Sequence, residues 1–311
     1  MPSGIALGVA TAVSWGSSDF LARFATRKLG SMRAVFWMQA FGAIFITILL
    51  LFARDWGHLF DGSGWQPWAW GILAGAINAF AILALYRAIE IGKLSLVGPV
   101  SATYPALTVI LSLLSGEHLS LVRWLGSAAT ILGVLLVAAG EKTSKQPPPS
   151  QVADQKTDSP PRPSALNSTG ASPVDGLSWA IAASLSFGFL FWLLGIRMIP
   201  RTGALATVWL IRVAGTAFTL PVLIAARLPL RIKHRQTAGQ LYGMGFLDTG
   251  AYALSNLGMR LEQVAIVSVL GSLYGAVTVA LAALFLRERI AKLQRLGLAS
   301  IFLGVVLINL K

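Results

Sequence analysis

Apolar blocks about one bilayer thick recur along most of this 311-residue chain, with short polar connections between them. A helix needs roughly 20 mostly apolar residues to cross the hydrocarbon core. Inside that core every backbone polar group must be satisfied internally, and a continuous block of this length does so as a helix. The expected fold is therefore an all-α membrane protein with ten transmembrane helices. The blocks are Ile5–Phe24, Arg33–Ala53, Trp68–Ile89, Leu94–Ser115, Leu121–Ala139, Leu177–Arg197, Gly203–Ala226, Gln240–Met259, Val264–Leu286 and Leu293–Leu310.

Charge supports the bilayer as solvent. Only 12% of residues are charged, against about 25% in a soluble domain. The net charge of +13 would suggest nucleic acid on a soluble protein. Here the Lys and Arg sit mostly in the short connections, as membrane topology requires, so no nucleic-acid partner is expected. The chain has no cysteine, which removes disulfides, thiol chemistry and Cys-based metal sites. His58, His118 and His234 are scattered in or beside loops, so neither a metal nor a cofactor is expected. No Gly-Lys-Ser/Thr phosphate loop is present in the sequence. The start MPSGIALGVA lacks a basic run and reads as a retained first span.

Residues 140–175 break the apolar pattern. They are rich in Pro, Ser and charge and read as a disordered linker. They divide the chain into residues 1–139 and 176–311, five blocks each. The halves overlay. A shift of 172 sets Gly4 on Gly176, Gly16 on Gly188 and Trp37 on Trp209. A shift of 170 sets Gly75 on Gly245, Asn78 on Asp248, Ser101 on Gly271 and Tyr104 on Tyr274. A shift of 171 sets Glu117 on Glu288, Gly126 on Gly297 and Gly133 on Gly304. Five spans is an odd number, so a duplicated half must be inverted, a recurring plan in secondary transporters. Alternate loops carry 18 Lys and Arg on one side and six on the other. The richer side is expected to be cytoplasmic, together with the linker, which leaves both termini non-cytoplasmic.

The fourth block runs into the fifth through Ser101, Pro105, Gly116, Glu117, Gly126 and Gly133, and the second half repeats the pattern through Glu288, Gly297 and Gly304. With Trp15 and Gly16 near the start, this resembles the EamA-type transporter family of the drug/metabolite transporter superfamily. The resemblance covers nearly everything except the linker. It departs at Gly275, which stands where the first half has Pro105. It implies a ten-helix plasma-membrane transporter of small organic metabolites or drug-like solutes, often an exporter. The expected partners are the bilayer, one such solute and a coupled proton.

Candidate residues follow from depth. Interrupted spans at matching places point to a transporter's binding site. Here these are Pro99 and Pro105 in the fourth block and Gly271 and Gly275 in the ninth, beside Tyr104 and Tyr274. Such breaks line a cavity or merely let helices pack closely. Arg212 and Asp248 each fall roughly 12–14 Å into their spans at 1.5 Å per residue, near the midplane. They should approach each other, as a fixed ion pair or around an anionic or zwitterionic ligand. Asp19, four residues before Arg23, reads as an interfacial ion pair or a coupling carboxylate. Gln39, Asn78, Ser101 and Asn256 could bind solute or bond between helices. Trp37 and Trp209 could wall a cavity or pack. Trp56, Trp65, Trp68 and Trp70 read as an interfacial belt, and Glu117 and Glu288 as helix caps. The other classes considered are an intramembrane enzyme, which would need two aspartates at matching depth, and a scaffold or receptor subunit.

Overall fold

The computed structural model describes residues 3–62, 64–91, 101, 103–140, 175–232, 234–286 and 292–309. Most of the expected linker lies outside the described residues, as do Pro99 and Glu288. The helices in the first half are α1 (Gly4–Leu29), α2 (Ser31–Ala53), α3 (Gln66–Ile91), α4 (Tyr104–Leu114) and α5 (Leu121–Gly140). In the second half α6 (Asp175–Leu193) passes through a π turn, Leu194–Met198, into the short α7 (Ile199–Thr202). Then follow α8 (Ala204–Ala225), α9 (Arg235–Leu261), α10 (Val264–Gly271), α11 (Tyr274–Leu286) and α12 (Lys292–Asn309).

Helix thus stands in every expected block, but the expectation of ten crossings is met only in part. Among the described residues five helices are long and apolar enough to span: Gly4–Thr26, Ser31–Ala53, Gln66–Ala88, Gly176–Thr202 and Ala204–Ala225. Shorter apolar stretches are Tyr104–Leu114, Leu121–Leu136, Val264–Val277 and Arg295–Leu307. The 27-residue α9 has the length but carries Arg235, Gln236, Gln240, Asp248 and Arg260. It buries polar side chains instead, among them Thr249, Ser255 and Asn256.

The backbone repeats at residue level. Gly30 ends α1 at φ 82°, and Gly203 ends α7 at φ 84°. Both then start the next helix without a linker, a conformation open almost only to glycine. Arg54 closes α2 and Arg227 follows α8, each left-handed at φ 52°. Both pairs lie 173 residues apart. The 172-residue match of Trp37 with Trp209 is therefore one residue out: across this helix Gln39 stands for Arg212 and Gly42 for Gly215.

Packing between the halves is reciprocal. α1 lies on α9 as α6 lies on α3, α2 lies on α9 as α8 lies on α3, and α5 pairs with α12. A methyl group on Gly16 would sit 2.8 Å from the Tyr274 carbonyl oxygen, and one on Gly188 2.7 Å from that of Tyr104. A methyl on Gly133 would sit 2.7 Å from the Gly297 carbonyl oxygen, and one on Gly304 2.6 Å from that of Gly126. Small residues allow backbones this close, which is how helices associate where lipid removes the hydrophobic drive.

Candidate functional site

The expected approach of Arg212 and Asp248 is present. Arg212 Nη2 donates to Asp248 Oδ2, with side-chain exposures of 0% and 16%. The guanidinium carbon also lies 4.8 Å from the centroid of the Tyr252 ring. Tyr252 is one helical turn beyond Asp248, so one face of α9 supplies both a counter-charge and an aromatic face. The Tyr252 hydroxyl donates to Asn78 Oδ1 at 2.8 Å. Among the described residues, Arg212 Nε and Nη1, both amide atoms of Gln39, Asn78 Nδ2 and Thr249 Oγ1 have no hydrogen-bonding partner. A methyl group on Gly42 would come within 3.3 Å of Arg212 Cδ, and one on Gly215 within 2.7 Å of Gln39 Cδ. Gln39 and Asn78 are thus the neutral counterparts of Arg212 and Asp248.

Asp19 lies well inside α1. α1 continues to Leu29, five residues past the expected end at Phe24. Asp19 therefore lies about 15 Å from that end of the helix. Ser18 Oγ donates to the Met244 carbonyl at 3.3 Å, and Trp15 packs on Tyr252 with centroids 5.3 Å apart. This antiparallel register sets Asp19 level with Asp248. The two carboxylates are close enough to repel, and Tyr274 and Tyr86 lie within the same reach. Asp19 is nonetheless exposed. The Arg23 side chain lies outside the described residues.

An aromatic wall adjoins these carboxylates. Trp15 meets Phe191 at 5.4 Å and Tyr274 at 6.4 Å. Phe191 stacks on Tyr252 at 5.8 Å and lies 5.2 Å from Tyr104. Tyr104 is buried and donates to the Ser268 carbonyl at 3.4 Å. A methyl on Gly271 would lie 3.2 Å from the Trp15 ring, whereas one on Gly275 would meet nothing within 4 Å.

Both expected places carry a helix start: α4 begins at Tyr104 with Pro105 in its first turn, where a missing N–H costs nothing, and α11 begins at Tyr274 after α10 ends at Gly271. Between α10 and α11 the chain only tightens: Ser272 N donates to Ser268 O and Leu273 N to Leu270 O, both at 3.1 Å. The ninth break therefore frees little backbone, and side chains supply most of the polarity here. Ser101 is buried, and Asn256 Nδ2 is held by the Ala204 carbonyl at 3.0 Å.

Trp37 and Trp209 go elsewhere. Trp37 Nε1 donates to the Leu230 carbonyl at 3.1 Å and its ring stacks on Phe41. Trp209 Nε1 donates to Thr47 Oγ1 at 2.9 Å, and its ring packs on Trp56 and Trp68. The one-residue offset turns the two tryptophans about 100° apart on their helix faces. Glu117 does cap a helix, but in the other half: its carboxylate accepts from Val264 N at 2.6 Å and Ala265 N at 3.1 Å. Nearby, Arg123 pairs with Glu262 at 2.9 Å. His58 bonds Asp61 at 2.5 Å, away from these residues in the loop between α2 and α3.

Tyr252, Tyr86 and Phe191 were not singled out from sequence. Tyr252 could have been, because it is four residues from Asp248 on a helix; Phe191 joins only through folding.

Comparison with known proteins agrees with this architecture. A solved crystal structure of another protein superposes with a TM-score of 0.75 at 15% identity, covering 98% of this chain and 96% of that one. At that identity the likeness shows the fold alone. An uncharacterized protein of Methanocaldococcus jannaschii is 29% identical over 139 residues, 44% of this chain and 98% of that protein. That relative has about the length of one half. The EamA-like transporter family matches twice, over residues 2–139 and 175–310. This chain, a multi-pass membrane protein built from two such repeats, belongs to the EamA-like transporter family.

Proposed function

We propose that the protein is a secondary transporter, working as an exporter, that moves a small organic solute by alternating access between its two halves. The reading has ten crossings in the plasma membrane, the second half inverted, both termini outside and the linker in the cytoplasm. The observation that carries it is Asp19, exposed and level with the ion pair of the buried Arg212 with Asp248, where α1 of one half packs on α9 of the other. Charges at this depth are costly and mark solute or ion pathways. The surrounding spare donors and acceptors give the cluster more than one way to pair when helices shift. The carboxylates of Asp19 and Asp248 are the candidates for proton coupling.

The test is solute flux in proteoliposomes with a proton gradient imposed in either direction. Flux should follow the gradient and collapse in Asp19→Asn and Asp248→Asn. If no solute from a broad metabolite set moves under any gradient, the reading fails. One observation favours an intramembrane hydrolase: the two aspartates share a level, contrary to the sequence expectation. The ion pair of Asp248 with Arg212 speaks against a dyad sharing one proton. Cleavage of a peptide or lipid by the purified protein would decide for it.

A further inference from the structure

A second polar place lies about 18 Å along α9 from Asp248, on the face of the bundle where α1 starts and α2 and α9 end. A cleft of about 560 Å³ opens there between the α2–α3 loop of one half and α7 and the last turn of α9 of the other. Asp55, His58 and Asp61 line it from the loop, Gly195 and Pro200 from the π turn and α7, and Arg260 from α9. Two left-handed glycines build its wall. Gly57 at φ 55° and Gly203 at φ 84° meet back to back, and a methyl group on Gly57 would overlap the Thr202 carbonyl. The loop backbone is thereby seated on the turn between α7 and α8, a closeness that glycine permits. The π turn Leu194–Met198 adds an irregular step beside it, a form that recurs at functional sites.

The cleft holds opposite charges apart. Asp55, just past α2, and Arg260, in the last turn of α9, are both exposed, and these two described residues form no ion pair with each other. His58 Nδ1 meets Asp61 Oδ2 at 2.5 Å. The charged lining is thus two carboxylates and one guanidinium, with the imidazole beside one carboxylate. A purely anionic ligand would face both carboxylates, and a purely cationic one would face the guanidinium. A ligand with both charges answers both. Its acid group belongs on Arg260, whose planar fork matches a phosphate, and its ammonium on Asp55.

Depth decides which zwitterion. The cleft sits at helix ends, the level of lipid head groups, and large apolar side chains flank it. Phe52, three residues before Asp55, is 85% exposed, and Phe60, next to Asp61, is 68% exposed. Trp56 packs edge to face on Phe60, and aromatic side chains at this level mark the membrane interface. We infer that the cleft binds the head group of phosphatidylethanolamine, with its phosphate on Arg260, its ammonium on Asp55 and its acyl chains along the apolar end of α2. A primary ammonium donates three hydrogen bonds to carboxylates, whereas a choline has no N–H to give. The lining comes from both halves, so an occupied cleft ties them together on this face. The inference goes beyond solute transport and stands without it.

Native mass spectrometry of the purified full-length protein in detergent tests it, with dioleoyl phosphatidylethanolamine, phosphatidylcholine and phosphatidylglycerol added in turn. The ethanolamine lipid should be retained at lower concentration than the other two. Arg260→Gln and Asp55→Asn should each weaken that retention about tenfold, the loss of one charge-assisted contact. Arg227→Gln, an exposed charge outside the cleft, should leave it unchanged. Lipid-free unfolding midpoints equal to that of the parent protein would show that the variants fold. Equal retention of the choline lipid, preference for the glycerol lipid, or indifference to both cleft variants overturns the inference. Water-soluble phosphoethanolamine is the remaining arm: should it displace the lipid at equal concentration, the cleft takes a free zwitterion and the lipid assignment falls. Flux in liposomes plays no part in this readout, so failure of transport and failure of the head-group site are told apart.

Discussion

At the residue scale the Arg212–Asp248 pair is a liability that the fold tolerates. Removing one partner of a buried pair leaves the other charge uncompensated, at a cost of about 3–5 kcal/mol. Asp248→Asn should therefore lower the unfolding midpoint in detergent sharply. The double change Arg212→Gln with Asp248→Asn should recover most of that loss, because it installs the residues that Gln39 and Asn78 already supply in the first half. A double variant no more stable than the single ones would show that the pair holds the fold by more than charge balance. Depth alone pointed to Arg212 and Asp248 in the sequence, because a charge in an apolar block stands out. Gln39 did not emerge as the counterpart of Arg212, because a one-residue slip in a run of Ala, Leu and Gly leaves no mark.

At the scale of elements, position-specific turns explain what the sequence concealed. Gly30 and Gly203 hold equivalent backbone conformations with φ of 82° and 84°, and these turns set the 173-residue offset. Gly203→Ala should cost about 1–3 kcal/mol as strain in a region closed to other residues, read as a lower unfolding midpoint. Gly239→Ala, where an added methyl meets nothing within 4 Å, is the control and should be near neutral. The Glu117 cap on α10 binds a loop of one half to a helix of the other. Its loss in Glu117→Gln should loosen that side of the molecule. Labelling of a cysteine placed at Gly271 should then speed up from that side, and an unchanged rate would mean the cap is only structural. The sequence did show that Glu117 caps a helix, but not which helix, because that partner is 147 residues away.

At the scale of the whole molecule, the apolar blocks made the all-helical fold and the two repeats legible, since bilayer length and composition are local properties. The pairing of α1 with α9 and of α6 with α3 was not legible, because it depends on contacts between the halves. The relative with about the length of one half fits a chain made by doubling such a unit. Inversion of the halves predicts that cysteines replacing Arg33 and Arg231 both label from the cytoplasmic side; labelling from outside intact cells would reverse the orientation. The protein has no native cysteine, so a single one introduced at Gly275, which faces open space beside the break between α10 and α11, reports on access to that place without background. Its reaction with a membrane-impermeant maleimide, applied to either face of oriented proteoliposomes, is the most direct test of alternating access. Modification from both faces is the predicted result. Modification from one face only, under every gradient and with every solute, would contradict it.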